Sequence, residues 1–249
     1  LDKKQWLNPF PKIRYTERPD VVAAHLTEGS IVILVDNSPT AIILPTGFFD
    51  FLQDADDYYF PVITGTYLRM VRNITMLVSA FITPVYLLVD RGIVAFPESW
   101  EFLMPQESYP IPLFWQFIIL EIAVDGLKMA SLNTPSSLGM SLSVIGALLL
   151  GELSITAGWF IPQTILLMAV VALASFSQPS MELSYALKFV RIALLTGSAM
   201  LGLWGFLGVL VIAAAILATT KTLTKTSYLY PLIPFNGRKL MRLLFRTRK

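Results

Sequence analysis

The chain has 249 residues, 55% of them hydrophobic and 14% charged, with a formal net charge of +2. A soluble globular domain carries about 25% charged residues; the deficit, with a mean hydropathy of +0.63, points to a membrane protein. The lack of cysteine excludes disulfides, thiolate metal sites and cysteine nucleophiles, and the single histidine, His25, excludes a histidine-rich metal centre.

The first residue is Leu and no basic-then-apolar leader follows, which reads as a piece of a longer protein. Residues 1–64 hold 9 acidic and 5 basic residues and read as the C-terminal part of a soluble cytoplasmic domain. "RPDVVAAHLTEG" predicts a short helix, with Pro19 in its first turn and Gly29 at its end. "EGSIVILVDNSPTAIILP" predicts a β-hairpin, with runs 31–35 and 40–44 around Asn37, Ser38 and Pro39. Both runs are almost wholly apolar, so the hairpin is expected to be buried or paired at an edge with chain outside this sequence.

Residues 65–220 read as a helical membrane domain. The first segment, 68–89, starts at Arg69 and Arg72, which can snorkel to headgroups, and carries Pro84 as a kink. A loop over 90–110 nets −3. The second segment is 111–132 and the third about 136–151, where Gly139, Ser143, Ala147 and Gly151 form a small-residue stripe that lets another helix approach. The fourth is 159–177. Residues 185–220, as one helix, would be about 54 Å long against a hydrocarbon core of about 30 Å, so two helices turning near "GLWG" at 202–205 are preferred, with a single tilted helix extending into solvent as the competing reading.

The tail, 221–249, has eight basic residues and no acid. The positive-inside rule places it in the cytoplasm, puts the N-terminal side there too, and turns 90–110 outward. Both ends inside requires an even number of crossings, so the fold class is mostly α: a polytopic α-helical membrane protein of about six segments with a small α/β remnant of a soluble domain. Within the tail, Arg238, Lys239, Arg242 and Arg246 interleave with Leu240, Leu243, Leu244 and Phe245. Beside a membrane, this basic stretch reads as a contact with anionic lipid rather than with nucleic acid.

The chemistry concentrates in "FIILEIAVDGLKMASL", 117–132. Glu121, Asp125 and Lys128 stand at i, i+4 and i+7, which keeps them on one helical face below Phe117. A central Asp or Lys facing lipid costs roughly 2.5–3.5 kcal/mol, so the stripe must face protein or water, with Lys128 able to offset one carboxylate. Three readings stay open: an ion-pair network between helices, a water-lined ion or solute pathway, and an interfacial helix. In the pathway reading the lining candidates are Glu121, Val124, Asp125 and Lys128. The two carboxylates share one helix with no opposing catalytic arm, so an enzyme is not expected. No metal motif or phosphate-cradling loop appears, and no cofactor is expected.

"NPFPKIRYTERPDVVAAHLTEG", "VDNSPTAIILPTGFFDFLQDADDYY" and "LASFSQPSMELSYALKFVRI" resemble the A-subunit family of bacterial spore germinant receptors, the GerA family. "SYLYPLIPFN" is most similar to the stage V sporulation AF branch. The resemblance runs through most of the chain and implies the C-terminal part of a multi-pass protein of the spore inner membrane. It further implies a homo-oligomer, a pentamer by family resemblance, that releases ions during germination beside other germination membrane proteins. It raises the pathway reading of 111–132 above the others. A non-conducting scaffold subunit and a secondary transporter remain the alternatives.

Overall fold

The computed structural model describes residues 8–27, 29–95, 97, 102–105, 109–133, 144–146 and 148–245. The chain is mostly helical with one small sheet. It divides into two compact units, one of residues 1–77, 176–189 and 210–249, the other of 78–175 and 190–209.

In the first unit, β1 (Arg14–Thr16), β2 (Ile31–Ile33) and β3 (Ala41–Leu44) form an antiparallel sheet in the order β1-β3-β2. The predicted hairpin is β2–β3, with Ile31 opposite Leu44 and Ile33 opposite Ile42. Its central strand β3 also pairs with β1, Arg14 opposite Ile43. Period-2 alternation sends Ala41 and Ile43 of the central strand into the core. The edge strand β2 leaves Ile31 and Ile33 exposed.

Helix α1 (Pro19–Thr27) falls where Pro19 and Gly29 predict it, and Gly29 takes φ +90°, a value open mainly to glycine. The aromatic core joins distant parts of the sequence. Phe10, Phe48 and Tyr228 meet with ring centroids 6.3–6.5 Å apart. Tyr228 is fully buried, and its hydroxyl donates to the Pro11 carbonyl at 2.6 Å. Tyr228, which lies in the segment that the sequence sets apart as a tail, thus packs with the N-terminal part. The signal was hidden because an aromatic residue amid "TSYLYP" looks the same as an interfacial anchor.

Helix α2 (Val62–Asp90) begins six residues before the predicted segment and contains Pro84. Helix α3 spans Leu113–Asn133, α4 Pro162–Phe176, α5 Met181–Leu201 and α6 Leu203–Thr219. Among the described residues, α2 and α5 are long and apolar enough to cross a membrane; α4 and α6 are apolar but shorter. Between α3 and α4 the described chain has a π turn at Leu149–Leu153 and a helical turn at Ser154–Thr156.

In the second unit, Tyr86, Leu113, Phe117, Leu120, Phe160, Met168, Val171 and Leu195 build the core. The expected break near "GLWG" is Gly202, which takes φ +61° between α5 and α6. The two helices then come so close that a Cβ on Gly205 would lie 2.0 Å from the Gly197 carbonyl oxygen, and one on Gly197 would lie 2.7 Å from that of Gly205. This close approach lies outside the predicted stripe, of which Gly139, Ser143 and Ala147 fall outside the described residues. At Gly151 an added Cβ meets nothing within 4 Å. Gly205→Ala is therefore expected to lower stability by about 1–3 kcal/mol, read as a drop in thermal unfolding midpoint, whereas Gly151→Ala leaves it unchanged.

Candidate functional site

Helix α3 carries the charged stripe, and its two sides differ. Trp115, Ile119, Ile122 and Met129 repeat every three, four or seven residues and are all exposed, Ile122 to 68%. Phe117 and Glu121 on the other side are buried, and Val124, Asp125 and Lys128 are half-buried. The apolar face is thus outward and the ionisable face inward, the arrangement that a lipid surround demands.

Glu121 is 3% exposed and Arg191, on α5, 2%. Arg191 Nε donates to Glu121 Oε1 and its Nη2 to Oε2 at 2.9 Å, a bidentate pair. The remaining arm, Nη1, donates to the Ser79 carbonyl on α2. One guanidinium therefore fastens three helices. The counter-charge expected for the stripe was Lys128; for Glu121 it is Arg191. Sequence reasoning gave Arg191 no role. The missed signal is arithmetic: a lone arginine three turns into an apolar helix needs an anion, and α3 has carboxylates to spare. Of the three readings of the stripe, the geometry at Glu121 is that of an ion-pair network.

A second polar centre was also missed. Gln116, fully buried one turn before Leu120, donates through Nε2 to the Ile111 carbonyl at 2.7 Å. Its Oε1 accepts from the Ile161 backbone N–H at 3.1 Å and the Thr164 hydroxyl at 2.9 Å. It satisfies donors at the start of α4, which Pro162 opens without an N–H. Gln116→Leu strands those buried groups and is expected to cost about 1–3 kcal/mol, checked by thermal unfolding beside the isosteric Gln116→Glu.

In the first unit, Asp57 is fully buried. It accepts from Arg69 Nε at 3.2 Å and from Arg72 Nη1 and Nη2 at 2.9 and 3.1 Å. The two arginines expected to snorkel toward headgroups point instead at this carboxylate. Arg72 also donates to the Leu52 carbonyl. Nearby on the sheet, buried Arg14 donates through Nη1 to the Asp50 carbonyl at 2.7 Å and faces His25 Nε2 at 3.3 Å. Arginine has no acceptor, so His25 accepts there as a neutral ring. His25 is buried. Burial holds the Arg14 guanidinium below its usual value, and Asp54, Asp50 and Glu182 oppose that shift. Arg14, Arg18, Asp54, Ser180 and Glu182 line a small polar cleft of about 100 Å³. At its rim, exposed Arg18 hydrogen-bonds Asp20 and Asp56 and holds both carboxyls below the usual range. Among the described residues, no group of His, Asp and Glu is placed to hold a metal.

Helix α7 (Gly237–Leu244) carries Arg238 and Lys239, both exposed. Arg246 lies outside the described residues. The Asn236 side chain caps the helix by accepting from the Lys239 N–H.

The sequence profile of the Bacillus/Clostridium GerA spore germination proteins matches residues 1–249. The chain belongs to the GerA family. It is 38% identical over 245 residues to stage V sporulation protein AF of Bacillus subtilis (strain 168), covering 98% of this chain and 50% of that relative. It is 28% identical over 250 residues to spore germination protein KA of the same organism, covering 99% and 46%. A third relative, the B. subtilis membrane protein YfkQ, is 28% identical over 203 residues, covering 80% and 40%. The chain spans about half the length of the curated relatives it matches. No solved structure matches it. Membership in this family supports a role in spore germination.

Proposed function

We propose that this chain is the membrane part of an oligomeric, ion-conducting subunit that releases ions across the spore inner membrane at germination. The single observation behind this reading is α3, which carries Asp125 and Lys128 half-buried around Val124 while its opposite face is apolar and exposed. Intramembrane charges that are neither turned to lipid nor fully sealed mark polar routes. In this reading Glu121 is the fastener that sets the rotation of α3, and Asp125, Val124 and Lys128 line the route. The apolar helices α4 and α6 join α2 and α5 in a multi-pass bundle of about six segments, with both ends on the cytoplasmic side. Copies surround an axis, and a pentamer is the expected assembly. No covalent chemistry is asked of the chain.

Reconstitution of the full-length protein in liposomes tests this through K⁺ and Na⁺ flux. Val124→Ala widens an apolar constriction and is expected to leak. Asp125→Asn is expected to lower the preference for cations. Unchanged conductance and selectivity in both variants, at normal membrane levels, removes the pore assignment. One observation favours a second reading, a non-conducting scaffold for other germination proteins: Glu121, the deepest charge of the stripe, is fully engaged within its own protomer. Absence of flux from folded, inserted protein, restored by no partner, supports that reading instead. Saturable uptake of one solute points to a transporter.

A further inference from the structure

Helix α7 sorts its residues by side. At 100° per residue, positions 240, 241, 243 and 244 fall in one arc, all Leu or Met, and 238, 239 and 242 fall in the opposite arc, all Arg or Lys. The apolar arc does not end with the helix. Leu232, Ile233 and Phe235 before it, and Phe245 after it, are exposed together with Met241. Arg238 and Lys239 stand exposed beside them, and Lys239 Nζ lies 4.9 Å from the Tyr230 ring centroid, which ties the helix to the preceding loop. Residues 221–249 carry no acid to neutralise these cations. The C-terminal end of the helix is attached to α2, one of the two helices fit to cross a membrane, because Arg69 Nη1 donates to the Leu243 carbonyl at 3.4 Å.

From this placement we propose that α7 with its flanking residues Leu232–Phe235 and Phe245 is an interfacial anchor that lies on a bilayer surface bearing anionic phospholipid. A solvated helix gains nothing from a row of exposed Phe, Ile and Met. A helix buried against protein would not keep arginine and lysine on one face with no carboxylate in reach along its own segment. Apolar side chains entering the acyl boundary, with cations at the phosphate level, satisfy both faces at once. The attachment to Arg69 sets the helix beside the end of α2, where a headgroup layer lies if α2 spans the bilayer. The proposal rests on that reading of α2.

The chain has no cysteine, so single cysteines are unique label sites. Spin labels at Met241→Cys and Phe245→Cys, on the full chain in lipid nanodiscs, are compared for access by oxygen and by a water-soluble nickel chelate. A label at Ile74→Cys on α2 reports separately whether that helix lies in hydrocarbon. The expected result is oxygen-dominated access at 241 and 245 in discs containing phosphatidylglycerol, with loss toward nickel access in phosphatidylcholine alone and at raised salt. Arg238→Gln with Lys239→Gln is expected to lower the docked-to-free ratio at least about tenfold, from roughly fivefold per basic residue. Nickel-dominated access at both sites in both lipids, with Ile74 in hydrocarbon, overturns the anchor and keeps the span. Access by neither reagent means a protein contact and overturns it as well. Equal docking in both lipids, indifferent to the Gln substitutions, overturns the anionic requirement, and protection by added RNA without lipid overturns the choice of partner. Nickel access at Ile74 overturns the reading on which the proposal rests.

Discussion

Glu121→Ala is expected to cost about 3–5 kcal/mol of stability, and Arg191→Ala about as much. The size follows from what each single change leaves behind. Arg191 is 2% exposed and has Glu121 as its bidentate counter-charge. Removing the carboxylate leaves a buried guanidinium that, among the described residues, keeps the Ser79 carbonyl as its acceptor. Removing Arg191 leaves a carboxylate in the same place. The pair itself contributes far less, because its mutual attraction must first offset the desolvation of both ions. Glu121→Leu combined with Arg191→Met is therefore expected to recover most of the loss. Thermal unfolding of the four proteins in one lipid or detergent measures this cycle directly. Equal stability for the single and double variants would mean that the ion pair does not hold the bundle. The same comparison separates fastening from conduction: Asp125→Asn leaves the Glu121–Arg191 pair in place, so its effect on flux should outweigh its effect on the unfolding midpoint.

Much of the architecture is legible in the residues, for identifiable reasons. The α1 boundaries follow from Pro19 and Gly29, and the β2–β3 hairpin follows from the turn formers between two β-rich runs. The division of 185–220 at Gly202 follows from length alone, since one helix would overshoot a bilayer. What failed was partner choice across long separations. The pairing of β1 with β3 joins residues nearly thirty positions apart through a strand of three residues, too short to show a period. Tyr228 reaches the aromatic core from the far end of the chain, and no local pattern marks it. The charged stripe of α3 shows why the site was only half readable. Spacing on one helix fixes which residues share a face, so the inward turn of Glu121 was predictable. Which helix supplies the cation depends on packing between segments seventy residues apart, and Lys128 was merely the nearest in sequence. Gln116 lies off the stripe, and the open donors at the start of α4 give that side a polar purpose of its own.

Asp57→Ala carries the second large effect. Arg69 and Arg72 are 4% and 12% exposed in their side chains, and both direct charge-assisted bonds to one carboxylate. Taking away that acceptor leaves two like charges side by side with little solvent, so the expected loss is again about 3–5 kcal/mol. Asp57→Asn keeps an acceptor oxygen but not the charge, and its loss should be smaller. The two sites are expected to differ in what loosens. The Arg191 cycle acts on α2, α3 and α5 within the second unit. Asp57 fixes the guanidinium of Arg69, which in turn holds the Leu243 carbonyl at the end of α7. Hydrogen exchange should therefore accelerate at residues 237–244 in Asp57→Ala while those amides stay protected in Glu121→Ala. If both variants loosen 237–244 equally, the change is global unfolding, and Asp57 has no separate part in seating the basic helix. If only Asp57→Ala does so, a single buried carboxylate both braces the two arginines at the start of α2 and positions the helix that we place on the lipid surface.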